Sequence, residues 1–423
     1  MRLMFLLLLL SIENLPAEVN SASELFIKAL MRGDPQAVEN LLSNGIDPNL
    51  PDGYGQTPLC LAVSSGDTKI AQLLLAYHAD PNASCQNGRN DTGEFPALPL
   101  QKAAERGNLP IATMLMAGGA RVNAAGTSGR TALHFAFGHL EMMQLLIKKG
   151  ADVTARDAEG TSPLDDAVWI GFLDSVAILL AHGARLDEAD PKTGATPLNE
   201  AAYRGQTPVV QYLLRFRPEL DAADHFGRSA LDNAIRMKKE DCALLLLEAE
   251  PREHQTASFF ERALDGAIRK DEPLLVKGLL QHGAAANSPF SSGVTPLDEA
   301  ASAGQVKIVQ TLLSNGADPN LSGKTGTAPL EDAALKGFAP VVGMLLEHGA
   351  LVDRINAGSG TTALYAAASF GKSDVVKLLL EKGANPRLCG KNHVSAYQAA
   401  VANGYAEVAT ALQNRGGAEG CER

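Results

Sequence analysis

Apolar and polar positions follow the spacing of short helices along this chain, and the pattern comes back on itself. One segment shows it in full. Thr295-Pro296-Leu297-Asp298 opens with a hydroxyl suited to cap a helix and a proline suited to its first position, where a missing N–H costs nothing. Ala300 and Ala301 give that helix a slim flank, and Gly304 ends it where a positive φ is easy. Val309, Leu312 and Leu313 lay an apolar stripe along a second helix, which Asn315-Gly316 closes. Two short helices with one apolar side each cannot bury those sides alone. The unit must stack on copies of itself.

The copies are present. Taking the place of Thr295 as a mark, the position recurs at Glu24, Thr57, Leu98, Thr131, Ser162, Thr196, Ser229, Arg262, Thr295, Ala328, Thr362 and Ser395. Successive spacings are 33, 41, 33, 31, 34, 33, 33, 33, 33, 34 and 33 residues. Thr-Pro-Leu returning at about 33 residues is the ankyrin signature, and residues 23 to about 415 resemble that family through twelve units. The resemblance implies an all-α, ankyrin-repeat solenoid of stacked helix–turn–helix units, with projecting β-turn fingers and a concave face.

Departures from the pattern predict local changes. The spacing of 41 inserts eight residues between Asn82 and Pro96, a polar, Gly-containing stretch that reads as an enlarged finger. The spacing of 31 drops two residues after Phe137 and shortens one inner helix. Repeats near 229–290 are degenerate. Lys238 and Asp271 stand where glycine would end a first helix, and Glu248 to Ser258 lacks the Gly-Ala-Asp close, which reads as a softer joint within one continuous array. Residues 416–423 form a short tail.

Composition changes the picture in three places. A chain of 423 residues is too long for one ordinary core, and 5% aromatics with 40 glycines suit close-packed repeats. The net charge of −11, without a Lys/Arg run, argues against a nucleic-acid partner. Five cysteines, at 60, 85, 242, 389 and 421, are too few and scattered for a disulfide scaffold. Cys60 and Cys85 are nearest in sequence. They read as two separate thiols, with geometry deciding whether they pair.

The N-terminus runs basic (Arg2), apolar (Leu3 to Leu10) and polar (Ser11 to Ala22), the layout of a signal peptide over residues 1–22. It predicts cleavage between residues 18 and 23 and a protein exported to a periplasm or secreted; the alternative is a cytoplasmic protein. The apolar run is too short to span a bilayer, so no integral span is expected in the mature chain.

Candidate chemistry reads mostly as architecture. Asp165, Asp232, Asp265, Asp298 and Glu331 form an acidic row three residues after the mark, which suits capping boxes at helix starts. The ankyrin family often has histidine there, and this chain has it at His134. A second row, His78, His182, His282 and His348, falls at the ends of second helices, where imidazole is favourable without any metal. No nucleophile elbow, P-loop, dinucleotide fingerprint or zinc signature appears. No catalytic residue, cofactor or metal is therefore expected.

The family resemblance places partner contacts at finger tips and on the exposed side of the inner helices. Carried onto this sequence, those positions collect Trp169, Ile170, Tyr203, Arg204, Arg236, Met237, Arg269 and Lys270, with His225, Phe226 and Arg228 in a finger. Trp169 is the one tryptophan in the chain, and Trp, Tyr and Arg are the types enriched at binding hot spots. The other reading is that Trp169 packs within the stack while the arginines are solvated. The expected function is a monomeric interaction module or scaffold that binds a protein, suited to an acidic surface. The alternatives are a cytosolic adaptor, a structural role in an envelope, and a small-ligand or cation binder using the acidic row.

Overall fold

The structure, a computed structural model, describes residues 22–85, 97–251, 254–324, 326–390 and 393–419. The proposed signal peptide, most of the enlarged finger and Cys421 lie outside the described residues. Among the described residues, 24 α-helices follow one another in pairs, and the one β interaction is an isolated bridge between Cys389 and Ser395. No helix among them is long and apolar enough to cross a membrane.

The chain packs as two compact units. One comprises Met1–Ala201 with Arg215–Pro218, the other Ala202–Leu214 with Glu219–Arg423. In the first, the helices Pro58–Ser65, Pro99–Glu105 and Ala132–Phe135 pack in succession, each on the first helix of the next repeat. Leu59, Leu100, Leu133 and Leu164, each two residues after its mark, are buried in that stack. In the second unit, Pro296–Ser302, Pro329–Lys336, Ala363–Ser369 and Ala396–Ala402 do the same. Leu297, Leu330 and Leu364 are buried there, and Val309 and Leu312 are fully enclosed on a second helix.

Helix ends follow the residues that mark them. Thr57, Ser162, Ser229, Thr295, Thr362 and Ser395 each accept a hydrogen bond from the backbone N–H three residues on. Gly304 has φ 72°, and a Cβ there would stand 2.7 Å from the Phe338 ring, so both backbone and packing require glycine. In the degenerate repeats Lys238 and Asp271 take over the left-handed position, with φ of 55° and 60°. The deletion after Phe137 leaves a first helix of four residues, Ala132–Phe135.

Two marks do not begin helices. Glu24 lies in the first turn of Ala22–Arg32 rather than before it. Arg262 lies inside a helix of 14 residues, Ala257–Lys270, capped by Thr256. Arginine has no side-chain acceptor to cap a helix, whereas Thr256 Oγ1 accepts from Phe259 N at 3.3 Å. Phe259, itself buried, then anchors the added turns.

Candidate protein-binding surface

The position three residues after the mark does the same work with different chemistry in successive repeats. His134 is buried, and burial lowers its pKa and keeps it neutral. Its Nδ1 accepts from Thr131 N at 3.1 Å, which leaves Nε2–H to donate to the Thr161 carbonyl of the following repeat at 3.1 Å. Gln101 copies it: Oε1 accepts from Leu98 N, and Nε2 donates to the carbonyls of Arg130 and Ala124. Asp298 accepts from Thr295 N and from Gly323 N of the next repeat. Asp232 accepts from Arg262, and Glu331 from Asn356 and Thr361. Cys60 makes the connection covalently, through a disulfide to Cys85 across Cα atoms 5.3 Å apart. The expectation of two separate thiols is thus corrected. The side chain that reaches the next finger at this position brings Cys60 within bonding geometry of a residue far along the chain.

The acidic row therefore belongs to helix starts and repeat junctions. Ser162–Asp165, Ser229–Asp232 and Thr295–Asp298 form capping boxes, while Asp265, inside the long helix, pairs with Arg269 at 2.8 Å. Burial pushes Asp298 up to about 6 and raises Asp165, and the cleft beside Glu331 measures about 10 Å³, room for no more than about one water. In the histidine row, Nδ1 of His182, His282 and His348 lies 2.8–2.9 Å from the carbonyl four residues back, closing each helix end.

A further ladder has no counterpart among the sequence expectations. Asn82, Asn123, Asn287 and Asn320 each donate Nδ2–H to a glycine carbonyl of the next repeat and accept from a backbone N–H two residues beyond it. The recurrence of asparagine eight residues before the mark, as at Asn123, Asn287 and Asn320, was its signal.

The proposed contact residues fall in both units. In the first, Trp169 is 58% exposed and Ile170 43%, at the end of the helix Pro163–Ile170. In the second, the Arg236 guanidinium sits over the Tyr203 ring at 5.5 Å and Arg228 over Phe226 at 4.6 Å. Phe226 and His225 are exposed at a finger turn, whose Phe226 N–H is fixed by Asp224 at 2.9 Å. Arg269 is held by Asp265 and lies 3.6 Å from Glu299. Arg204, Met237 and Lys270 are half-buried at helix ends.

The short helix shapes a feature that the sequence reading missed. Where Ala132–Phe135 stops early, a cleft of about 500 Å³ opens in the first unit, lined by Glu105, Arg130, Phe135, Phe137, His139 and Phe172. Phe137 and Phe172 stack with ring centres 6.2 Å apart, and Phe172 is 42% exposed. The Arg130 guanidinium lies 5.0 Å from the Phe135 ring and pairs with Asp166, while its Nε is buried without an acceptor. The lining is thus largely aromatic. Its signal in the sequence was the coincidence of the deletion with Phe135, Phe137 and Phe172.

Stacked helix pairs joined by side-chain bridges, with an aromatic cleft in the first unit, define a helical repeat protein. The chain belongs to the ankyrin-repeat family. The family model described as ankyrin repeats in three copies matches residues 4–85, 25–124, 84–157, 100–190, 164–257, 261–323 and 330–422. The chain is 30% identical over 226 residues to the ankyrin repeat protein nuc-2 of Neurospora crassa, covering 53% of this chain and 20% of that one. It is 35% identical over 161 residues to the nuclear factor NF-kappa-B p105 subunit of Gallus gallus, covering 37% and 16%. Against the B-cell lymphoma 3 protein homolog of Mus musculus it is 30% identical over 198 residues, covering 44% and 42%. The alignments thus span less than half of each of these relatives. Proteins of this family are generally protein–protein interaction modules and typically not enzymes.

Proposed function

We propose that this chain is an exported interaction module that holds a segment of another protein against the first unit, around Trp169, Ile170 and the Phe135–Phe137–Phe172 cleft. The observation that carries the reading is the run Trp169, Ile170 and Phe172, all exposed, beside an aromatic cleft made by a two-residue deletion. Exposed apolar groups in one place mark interaction sites, and tryptophan is enriched at their energetic centres. The aromatic lining favours a bulky apolar side chain in the cleft. The aromatic–arginine pairs of the second unit, Tyr203–Arg236 and Phe226–Arg228, together with Arg204, Met237, Arg269 and Lys270, supply a contact set of their own. They suit an acidic partner surface.

Export is supported by the Arg2, Leu3–Leu10, Ser11–Ala22 layout and by cysteine chemistry. Cys60 and Cys85 are joined, and Cys389 is also disulfide-bonded. Such bonds persist in oxidising compartments.

The binding test is affinity capture with the full chain, followed by titration of the captured protein against variants of verified fold. Trp169→Ala should weaken binding by about thirtyfold or more, as loss of a hot-spot residue does. Ser302→Ala, in the second unit, should leave it unchanged. Equal affinities for the two variants would remove Trp169 from the interface and return it to packing.

A further inference from the structure

The junction around residues 221–254 breaks the asparagine ladder in an informative way. Asp221 and His254 each stand eight residues before a mark, the place held by Asn287 and Asn320 in later repeats. Glu250 stands twelve before its mark, where those junctions have Gly283 and Gly316. At a regular junction, Asn287 Nδ2–H donates to the Gly316 carbonyl at 2.9 Å. Asp221 has no N–H to give, so that bond cannot form. Three ionisable side chains converge instead. His254 Nδ1 lies 2.9 Å from Asp221 Oδ2 and 3.3 Å from Glu250 Oε1, and the three ligand atoms lie within 4.8 Å of one another.

We propose that Asp221, Glu250 and His254 form a binding site in the second unit for a divalent transition-metal ion of the zinc class, a site independent of the protein-binding surface. Donors about 2.1 Å from a shared ion stand roughly 3.0–3.4 Å apart at octahedral to tetrahedral angles, close to the two spacings observed. Glu250 adds a second observation. It is 7% exposed, and its Oε1 faces the His254 ring nitrogen at 3.3 Å without the geometry of a good hydrogen bond. A buried carboxylate oxygen with only a poorly aligned partner is costly, and a cation between it and the imidazole removes that cost. Asp221 and His254 are open to water, which leaves a route in and room for water to complete the coordination shell. An imidazole nitrogen with two carboxylates favours zinc, manganese or iron over calcium and magnesium, which take oxygen ligands. The position of His254 is set locally: its N–H donates to the Pro251 carbonyl at 3.0 Å, and its own carbonyl accepts from Thr256 N at 2.8 Å.

The competing account is an ion-pair triad in which protonated His254 alone bridges the two acids. Calorimetric titration of the full chain with zinc chloride, after dialysis against a chelator, separates the two. The wild type should take up one ion per chain in a saturable step. Asp221→Asn restores the ladder amide and so favours a folded junction; it and His254→Ala should each weaken uptake by about a hundredfold or more. His282→Ala, at an ordinary helix end, should bind as the wild type does. Absence of saturable uptake by the wild type, or wild-type affinity in folded Asp221→Asn and His254→Ala, would overturn the site in favour of the triad.

Discussion

At the scale of single residues, the chain shows how much freedom one structural place allows. Three residues after the mark, histidine, glutamine, aspartate, glutamate and cysteine all reach the next repeat, because the helix start aims whatever side chain stands there at the following finger. Glu272 is the residue whose surroundings conflict with its charge. It is 4% exposed, neither carboxylate oxygen has a hydrogen-bond partner, and burial, followed by the charge of Glu240, pushes it up to about 7. An acid whose folded pKa is raised binds more protons folded than unfolded. Its contribution is therefore favourable below the unfolded value, about 4.3, and is lost as pH rises through about 7. Glu272→Gln should gain stability relative to wild type between pH 5 and pH 8. Urea unfolding of both proteins at the two pH values reads that difference, and a constant gap would show that Glu272 does not titrate in this window.

At the scale of elements, a small change in chain length or chemistry redirects a whole repeat. Loss of two residues shortens Ala132–Phe135 to one turn and exposes Phe137 and Phe172 to a cleft. Thr256, in place of a cap at 262, lengthens the helix Ala257–Lys270 toward its N-terminus. The Cys60–Cys85 bond ties a first helix to the segment that precedes the next repeat, where Cys85 N–H also donates to the Ala97 carbonyl at 2.9 Å. A cross-link over 25 residues restricts the unfolded chain and is worth about 2–4 kcal/mol. The double variant Cys60→Ser, Cys85→Ser should lose that much in denaturant unfolding of the oxidised protein. It is a better probe than reductant, which also acts on Cys389. Unchanged stability would mean that the bond is not formed in solution.

At the scale of the whole molecule, the acidic balance and the stacked repeats present a long binding surface, and the export reading proposed above makes a prediction of its own. The native protein should begin between residues 18 and 23 and be recovered outside the cytoplasm. N-terminal sequencing with cell fractionation checks both points. An intact Met1 on a wholly cytoplasmic pool, with Cys60 and Cys85 reduced, would remove the export reading and favour a cytosolic adaptor.

The sequence by itself determined the number of repeats, most of the helix starts and the core, because each depends on local chemistry repeated at a fixed period. Thr295, Pro296, Leu297 and Gly304 each have one physical task within a few residues of chain, and a periodic pattern makes that task legible. It failed at Glu24 and Arg262, where spacing was followed in the absence of capping chemistry. What joins one repeat to the next was decided by tertiary structure. The Cys60–Cys85 bond, the cleft beneath Phe137 and Phe172, and the meeting of Asp221, Glu250 and His254 all depend on side chains brought together by stacking. Sequence spacing states how far apart such residues lie along the chain; only the packed repeats fix the distance and direction between them in space.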